Sequence, residues 1–205
     1  MSSRDRRRAR TRQELARAAA VLFEQQGFAA TTVEEIAAAA DYSASTFFRL
    51  FDRKEDALFV DLDDSVGVVA RHMAKVTSAG RWPAIREALL RHAAAWEEGD
   101  PEFAAARTRL FHREPALARV YGEHLERWQA ELAVDLTRLR GGDPDDDVMP
   151  LVAAGAIVST YRAAFRRQAR VGGRMVDHLE RALDLLETSG SLSSLLEAAP
   201  RTVRA

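Results

Sequence analysis

Apolar residues recur at three- and four-residue spacing along almost the whole chain, and no stretch shows two-residue alternation of any length. That periodicity predicts an all-α fold. Helices are expected at about 10–26, 33–40, 44–50, 53–78, 83–98, 101–113, 115–139, 148–171, 175–188 and 192–198. In the first, Leu15, Ala18, Ala19, Leu22 and Phe23 form one stripe, and Gly27 stands where a left-handed cap would end it. Thr32-Val-Glu-Glu35 has the spacing of a capping box, Ser43 can cap the next helix, and Asp52-Arg-Lys-Glu55 repeats the logic. Pro83, Pro101 and Pro115 suit first turns, while Gly80, Gly99, Gly141-Gly142, Gly172-Gly173 and Gly190 punctuate the ends.

Composition removes several classes of function. Without Cys there is neither a disulfide framework nor a thiolate metal site. Every apolar stretch is broken by charge before the ~18 residues a membrane span needs, and the N-terminus lacks a signal peptide's apolar core. A cytoplasmic protein with no membrane insertion is the expectation. The formal net charge of −1 hides an uneven distribution: residues 1–12 hold six Arg against Asp5 alone. Residues 1–9 are therefore expected to be a disordered basic arm, followed by a three-helix domain at 10–54, a helical domain at 55–199 and a tail at 200–205.

Two short helices joined by the tight turn Asp41-Tyr42-Ser43 and preceded by a longer one make a unit whose last helix can lie in the major groove of DNA. The second short helix leads with Ala44, Ser45 and Thr46, carries Phe47 and Phe51 at the spacing of a buried face, and points Arg49 elsewhere. The stretch TTVEEIAAAADYSASTFFRLFDRKEDALF, residues 31–59, resembles the DNA-binding module of the TetR family of transcriptional repressors. The likeness spans about residues 10–60. It implies that the helix at 44–50 reads bases, that Lys54 holds a phosphate, and that Thr32 opens the supporting helix near the DNA backbone. The DNA contacts it implies are Thr32, Ala44, Ser45, Thr46, Phe48, Arg49, Leu50 and Lys54.

Three positions depart from the family pattern. Phe48 replaces the usual tyrosine, Leu50 stands where an aromatic residue or His is frequent, and Ala44 where a polar side chain often reads a base. Direct readout is thinned to Ser45, Thr46 and Arg49, with apolar contacts from Ala44 and Leu50. Operator specificity is thus expected to lean on DNA shape and on the Arg arm, placed in a minor groove.

One such module reads few base pairs, so a homodimer on a pseudo-palindrome is expected. Val176, Leu179, Leu183 and Leu186 follow a heptad seam, and Ala153-Ala-Gly155-Ala with Ile157, Val158 and Phe165 offers a face for close approach. Both stripes also fit an intramolecular core. In TetR-like proteins the intervening region encloses a small-molecule effector site. Trp96, Arg107, Phe111, Trp128, Tyr161 and Arg162 are the ligand-binding candidates, alongside Phe103, Tyr121, His92, His112 and His124. Residues 112–147 and the segment YRAAFRR also resemble the acyl-CoA-responsive, mycofactocin-regulator-like subgroup, which implies a mostly apolar, lipid-like effector. A tilt of the long helix 53–78 would then relieve repression.

Other classes are less well supported. The chain has no H-E-x-x-H, G-x-S-x-G or G-x-x-x-x-G-K motif, and its five His show no ligand spacing, so no catalysis, metal or cofactor is expected. The acidic run Asp143–Asp147 reads as a helix-opening cap. The rival reading is a non-specific architectural DNA- or lipid-surface-binding helical protein that uses the Arg-rich arm.

Overall fold

A computed structural model describes residues 2–60, 81–140 and 147–188, except for the side chains of residues 81, 96, 139 and 140. Every regular element among the described residues is helical: α1 (Ser3–Gln26), α2 (Val33–Ala39), α3 (Ala44–Phe48), a 3₁₀ turn (Lys54–Phe59), α4 (Arg81–Glu98), α5 (Pro101–Arg113), α6 (Pro115–Arg140), α7 (Met149–Val171) and α8 (Met175–Thr188). The periodicity places the ends of these helices to within about two residues, except for the start of α1. The expected helix at 192–198 lies outside the described residues, as does most of the one at 53–78; the part of the latter that is described is the 3₁₀ turn. Its cap is also one residue later than Asp52: the Arg53 N–H donates to the Asp56 carboxylate at 2.8 Å. The chain divides into two compact units, residues 1–63 with 100–121, and 64–99 with 122–205.

In the first unit α1 begins seven residues earlier than its periodicity predicts, at Ser3 in place of Arg10, so the basic segment is helix and not a disordered arm. The physical reason is local. The Ser2 hydroxyl accepts the Asp5 N–H at 3.1 Å while the Asp5 carboxylate accepts the Ser2 N–H at 2.9 Å, a capping box that satisfies orphan donors and sets an acid against the helix dipole. The Ser2 N–H, followed by the Ser2 hydroxyl, holds the Asp5 carboxyl below its usual range. Leu15, Ala16, Ala19, Ala20 and Phe23 form the buried stripe of α1, which packs on α2, the 3₁₀ turn and α5. Gly27 ends the helix at φ +87°, a value that glycine adopts without the cost a side chain would impose.

Ion pairs fasten α5 to α1. Arg17 pairs with Asp100, whose other oxygen caps α5 by accepting the Phe103 N–H at 3.0 Å, and Arg109 pairs with Glu24 at 2.7 Å. Partial burial pushes the Asp100 carboxyl up, but the Phe103 N–H and the Arg17 guanidinium outweigh it and leave it lowered.

The second unit is built on α4, α7, α8 and the later part of α6. Here part of the heptad seam of α8 is used within the chain: Leu179 and Leu183 are buried, as is Met175 beside them, and α8 packs on α7 and α4, while Val176 and Leu186 are half-buried. The small-residue face is likewise core, with Ala153, Ala154, Ile157, Val158 and Phe165 all buried. Of the two alternatives open for these stripes, the intramolecular core accounts for their buried members, while Gly155, Ala156, Val176 and Leu186 stay half-buried. Two flanking helices of the same unit offer them apolar area at no cost in association entropy. Glu97 closes the α7–α8 turn, its carboxylate accepting from Gln168 at 2.8 Å and from the Met175 N–H at 2.5 Å. Asp147, one residue before the N-cap Val148, accepts the Met149 N–H at 3.0 Å, but the N-cap itself makes no side-chain cap bond, and the rest of the acidic run lies outside the described residues. Among the described residues no helix is long and apolar enough to cross a membrane.

Candidate nucleic-acid interface

Short helices need outside anchors, and α3, with five residues, has several. Ser43 caps it by accepting the Thr46 N–H at 3.2 Å, and the Ser43 and Thr46 hydroxyls meet at 3.1 Å. Phe47 is fully buried and Phe51 nearly so, their ring centroids 5.1 Å apart. Arg12 of α1 donates to the Leu50 carbonyl at 3.1 Å and lays its guanidinium 4.8 Å from the centre of the Phe51 ring. The α2–α3 turn passes through Asp41 at φ +59°, the left-handed region that Asp tolerates better than most residues. Its next residue ties the turn to α1: the Tyr42 hydroxyl donates to Glu14 at 2.6 Å and accepts from Thr11 at 3.3 Å.

With Phe47 pinned inward, α3 turns Ser45, Phe48 and Arg49 to solvent, while Ala44, Thr46 and Leu50 are half-buried. Phe48 is 54% exposed, a large apolar ring that touches the unit edge-on at Phe47, centroids 5.9 Å apart, and turns most of its surface to solvent. Thr32 is exposed at the start of α2, where its hydroxyl accepts the Glu35 N–H at 3.2 Å and the Glu35 carboxylate accepts the Thr32 N–H at 2.8 Å. Those contacts from Thr32, with a further one from Gln26, hold the Glu35 carboxyl below its usual range.

Lys54 behaves differently from the solvent-facing phosphate ligand that the resemblance implies. Its ammonium donates to the carbonyl oxygens of Phe28 at 2.6 Å and Thr31 at 2.8 Å and lies 4.3 Å from the centre of the Phe28 ring. It closes the α1–α2 loop against the start of the 3₁₀ turn. The structure also brings together residues that the linear reading kept apart. Arg4, Arg7 and Arg8, read as a separate arm, share a cleft of about 630 Å³ with Arg49 and Leu50. A readable signal was the Ser2–Asp5 capping spacing, which carries the helix back through the arginines.

The effector candidates separate. In the first unit Phe111 is buried and stacked between Phe59 at 4.7 Å and Tyr121 at 5.0 Å. Arg107, only 1% exposed, lies 4.4 Å from the centre of the Phe103 ring and donates to the Leu58 carbonyl at 3.4 Å. In the second unit Trp128, Tyr161 and His92 form an aromatic cluster, with Trp128 edge-on to Tyr161 at 5.1 Å and His92 6.0 Å from Tyr161. The indole N–H of Trp128 and the Nε of half-buried Arg162 are buried without a hydrogen-bond partner among the described residues. The Trp96 side chain lies outside the described residues.

Comparisons with known proteins agree with this architecture. A family model described as "Bacterial regulatory proteins, tetR family" matches residues 15–60, and one described as "MftR C-terminal domain" matches residues 79–190. The HTH-type transcriptional regulator TcmR of Streptomyces glaucescens is 33% identical over 174 residues, covering 82% of this chain and 75% of that protein. Among solved structures, the complex of SmeT with triclosan superposes with a TM-score of 0.65 at 18% identity, covering 95% of this chain and 97% of the other. The structure of SmeT described as the repressor of the Stenotrophomonas maltophilia multidrug efflux pump SmeDEF gives 0.58 at 17% identity, covering 87% and 89%. At those identities the two structures support the fold alone.

Proposed function

This chain belongs to the TetR family of transcriptional regulators, and from that premise we propose that it is a ligand-responsive repressor that binds a pseudo-palindromic operator as a homodimer in the cytoplasm. The observation that carries the reading is the way α3 is held: Phe47 and Phe51 are sunk in the unit while Ser45, Phe48 and Arg49 stand outward together. In this reading Ser45, Thr46 and Arg49 supply hydrogen bonds to the duplex, and Ala44, Phe48 and Leu50 supply apolar contact such as that with a thymine methyl. Thr32 meets the DNA backbone at the start of α2, and Lys54 adds its charge beside it.

Two copies deliver two readers to half-sites one helical turn, roughly 34–36 Å, or a multiple of that apart. Support for the dimer comes from outward apolar side chains: Leu151 and Val152 on α7 and Leu185 on α8, the last 75% exposed. The effector is a mostly apolar molecule of the acyl-CoA or lipid class, received in the second unit at the Trp128–Tyr161 cluster, with Trp96 and Arg162 as further candidates of that unit and Arg107 and Phe111 as candidates of the first. Trp128 and Arg162 each hold a buried N–H without a partner among the described residues, which a ligand oxygen would satisfy. An effector that favours the DNA-incompetent state by ~3 kcal/mol weakens operator binding roughly a hundredfold by linkage.

Sequencing the duplexes retained by purified protein from a random library tests the first half, with an inverted repeat as the expected result. Screening fatty acids and acyl thioesters for release of that duplex tests the second. Retention of every duplex equally would overturn the regulator reading.

A further inference from the structure

Resting on the duplex-binding reading above, we propose that the first two turns of α1 and the end of α3 form a clamp for the phosphodiester backbone, with Arg4, Arg7, Arg8 and Arg49 as its phosphate ligands. These four arginines line one cleft, and none of their side chains makes an ion pair or hydrogen bond among the described residues. The acid in the cleft is Asp5, which is committed to capping the helix through Ser2 and lies near Arg8. The cleft therefore keeps a strong positive charge. Like charges four apart on a helix, as Arg4 and Arg8 are, repel and destabilise it. A helix that holds them together gains from a polyanion and from little else.

The clamp is built in advance of binding. Arg12 fixes the basic turns of α1 against the end of α3 through the Leu50 carbonyl and the Phe51 ring, so it acts as a positioning residue. The Ser2–Asp5 capping box keeps those turns helical. Arg49 belongs both to the cleft and to the outward face of α3, which makes the cleft continuous with the reading surface. That continuity identifies the polyanion as the duplex already facing α3.

Helical structure also decides which part of the duplex is held. An α-helix with its side chains is about 10 Å across and the minor groove about 6 Å wide, so α1 cannot lie in that groove as an extended arm could. The helix lies against the backbone instead. Arg49, read from the sequence as a base-reading residue, becomes a phosphate ligand shared by the two helices. The guanidinium fork suits this role because it can give two parallel hydrogen bonds to one phosphate.

The full-length R4Q/R8Q variant, compared with wild type on the selected operator and on a random duplex across 50–200 mM salt, tests the clamp. The expected slope of log K against log [salt] falls by about 1 for each arginine removed from each bound copy, equally on both duplexes. R49Q, altering the opposite wall, gives a reduction of the same kind. Helicity by circular dichroism is expected to match wild type in both variants. Unchanged slopes with operator selection intact would overturn the clamp and leave the regulator reading standing. A loss confined to duplexes with A·T-rich flanks would overturn it in favour of groove readout. A wild-type protein that binds neither duplex would overturn both readings.

Discussion

The Tyr42 hydroxyl donates to the Glu14 carboxylate at 2.6 Å, joining the turn between α2 and α3 to α1 across 28 residues of chain. Through this contact the longest helix of the first unit holds the entrance to the shortest. The Tyr42 hydroxyl, followed by the Arg10 guanidinium, keeps the Glu14 carboxyl below its usual range.

A carboxyl lowered in the folded state adds stability above its unfolded value, about 4.3 for glutamate, and that stability is lost as pH falls through the lower folded value. Tyr42→Phe should raise the Glu14 value toward the ordinary one and flatten the acid limb of the stability curve. Carboxyl-carbon NMR titration together with urea denaturation between pH 3 and 7 measures both effects. An unmoved Glu14 titration in the variant would refute the link.

Neighbouring phenylalanines on α3 should behave oppositely. Phe47 is fully buried, so Phe47→Ala should cost about 3–5 kcal/mol of stability, read from the denaturant midpoint. Phe48 is largely exposed, so Phe48→Ala should change stability by less than about 0.5 kcal/mol while weakening operator binding. Unaltered operator affinity in the Phe48 variant would remove that ring from the interface.

Lys54 divides between two roles that one substitution can separate. Lys54→Met keeps most of the volume but drops both bonds to the Phe28 and Thr31 carbonyls, an expected cost of about 1–2 kcal/mol after allowance for partial exposure. If the ammonium also meets phosphate, the salt slope of DNA binding falls by about 1 per copy. Lost stability with an unchanged slope would make Lys54 a loop-closing residue alone.

Two leucines on α8 distinguish core from dimer face. Leu183→Ala should destabilise the fold by about 2–5 kcal/mol because the side chain is fully buried. Leu185→Glu should leave the fold intact and shift the protein toward monomer in sedimentation experiments, since that side chain points outward. A dimer indifferent to Leu185→Glu would place its interface elsewhere.

Much of the fold is legible because its signals are local. Pro101, Pro115, Gly27 and Gly172 mark helix ends in the structure as they do in the sequence, through fixed φ, missing N–H groups and tolerance of positive φ. The Thr32–Glu35 box forms at the predicted spacing for the same reason. The Ser2–Asp5 box was equally local, yet the charge of six nearby arginines obscured it.

What periodicity could not say is what each apolar stripe faces. Leu179 and Leu183 have the spacing of a coiled-coil seam, and the same spacing serves a helix packed on two neighbours in its own unit. Nor does spacing reveal that Arg107 and Phe111 pack in one unit while Trp128 and Tyr161 pack in the other. Such pairings depend on chain separations far longer than a helical turn.

The amino-acid order by itself determined where helices begin and end, and which residues α3 can present, because capping, breaking and amphipathic spacing act within about four positions. Tertiary packing alone decided that Lys54 spends its charge on carbonyls 23 and 26 residues back, and that Arg49 joins arginines more than forty positions away. Coulomb interactions and hydrogen bonds depend on distance in space, and only the packing of α1, α2 and α3 sets those distances.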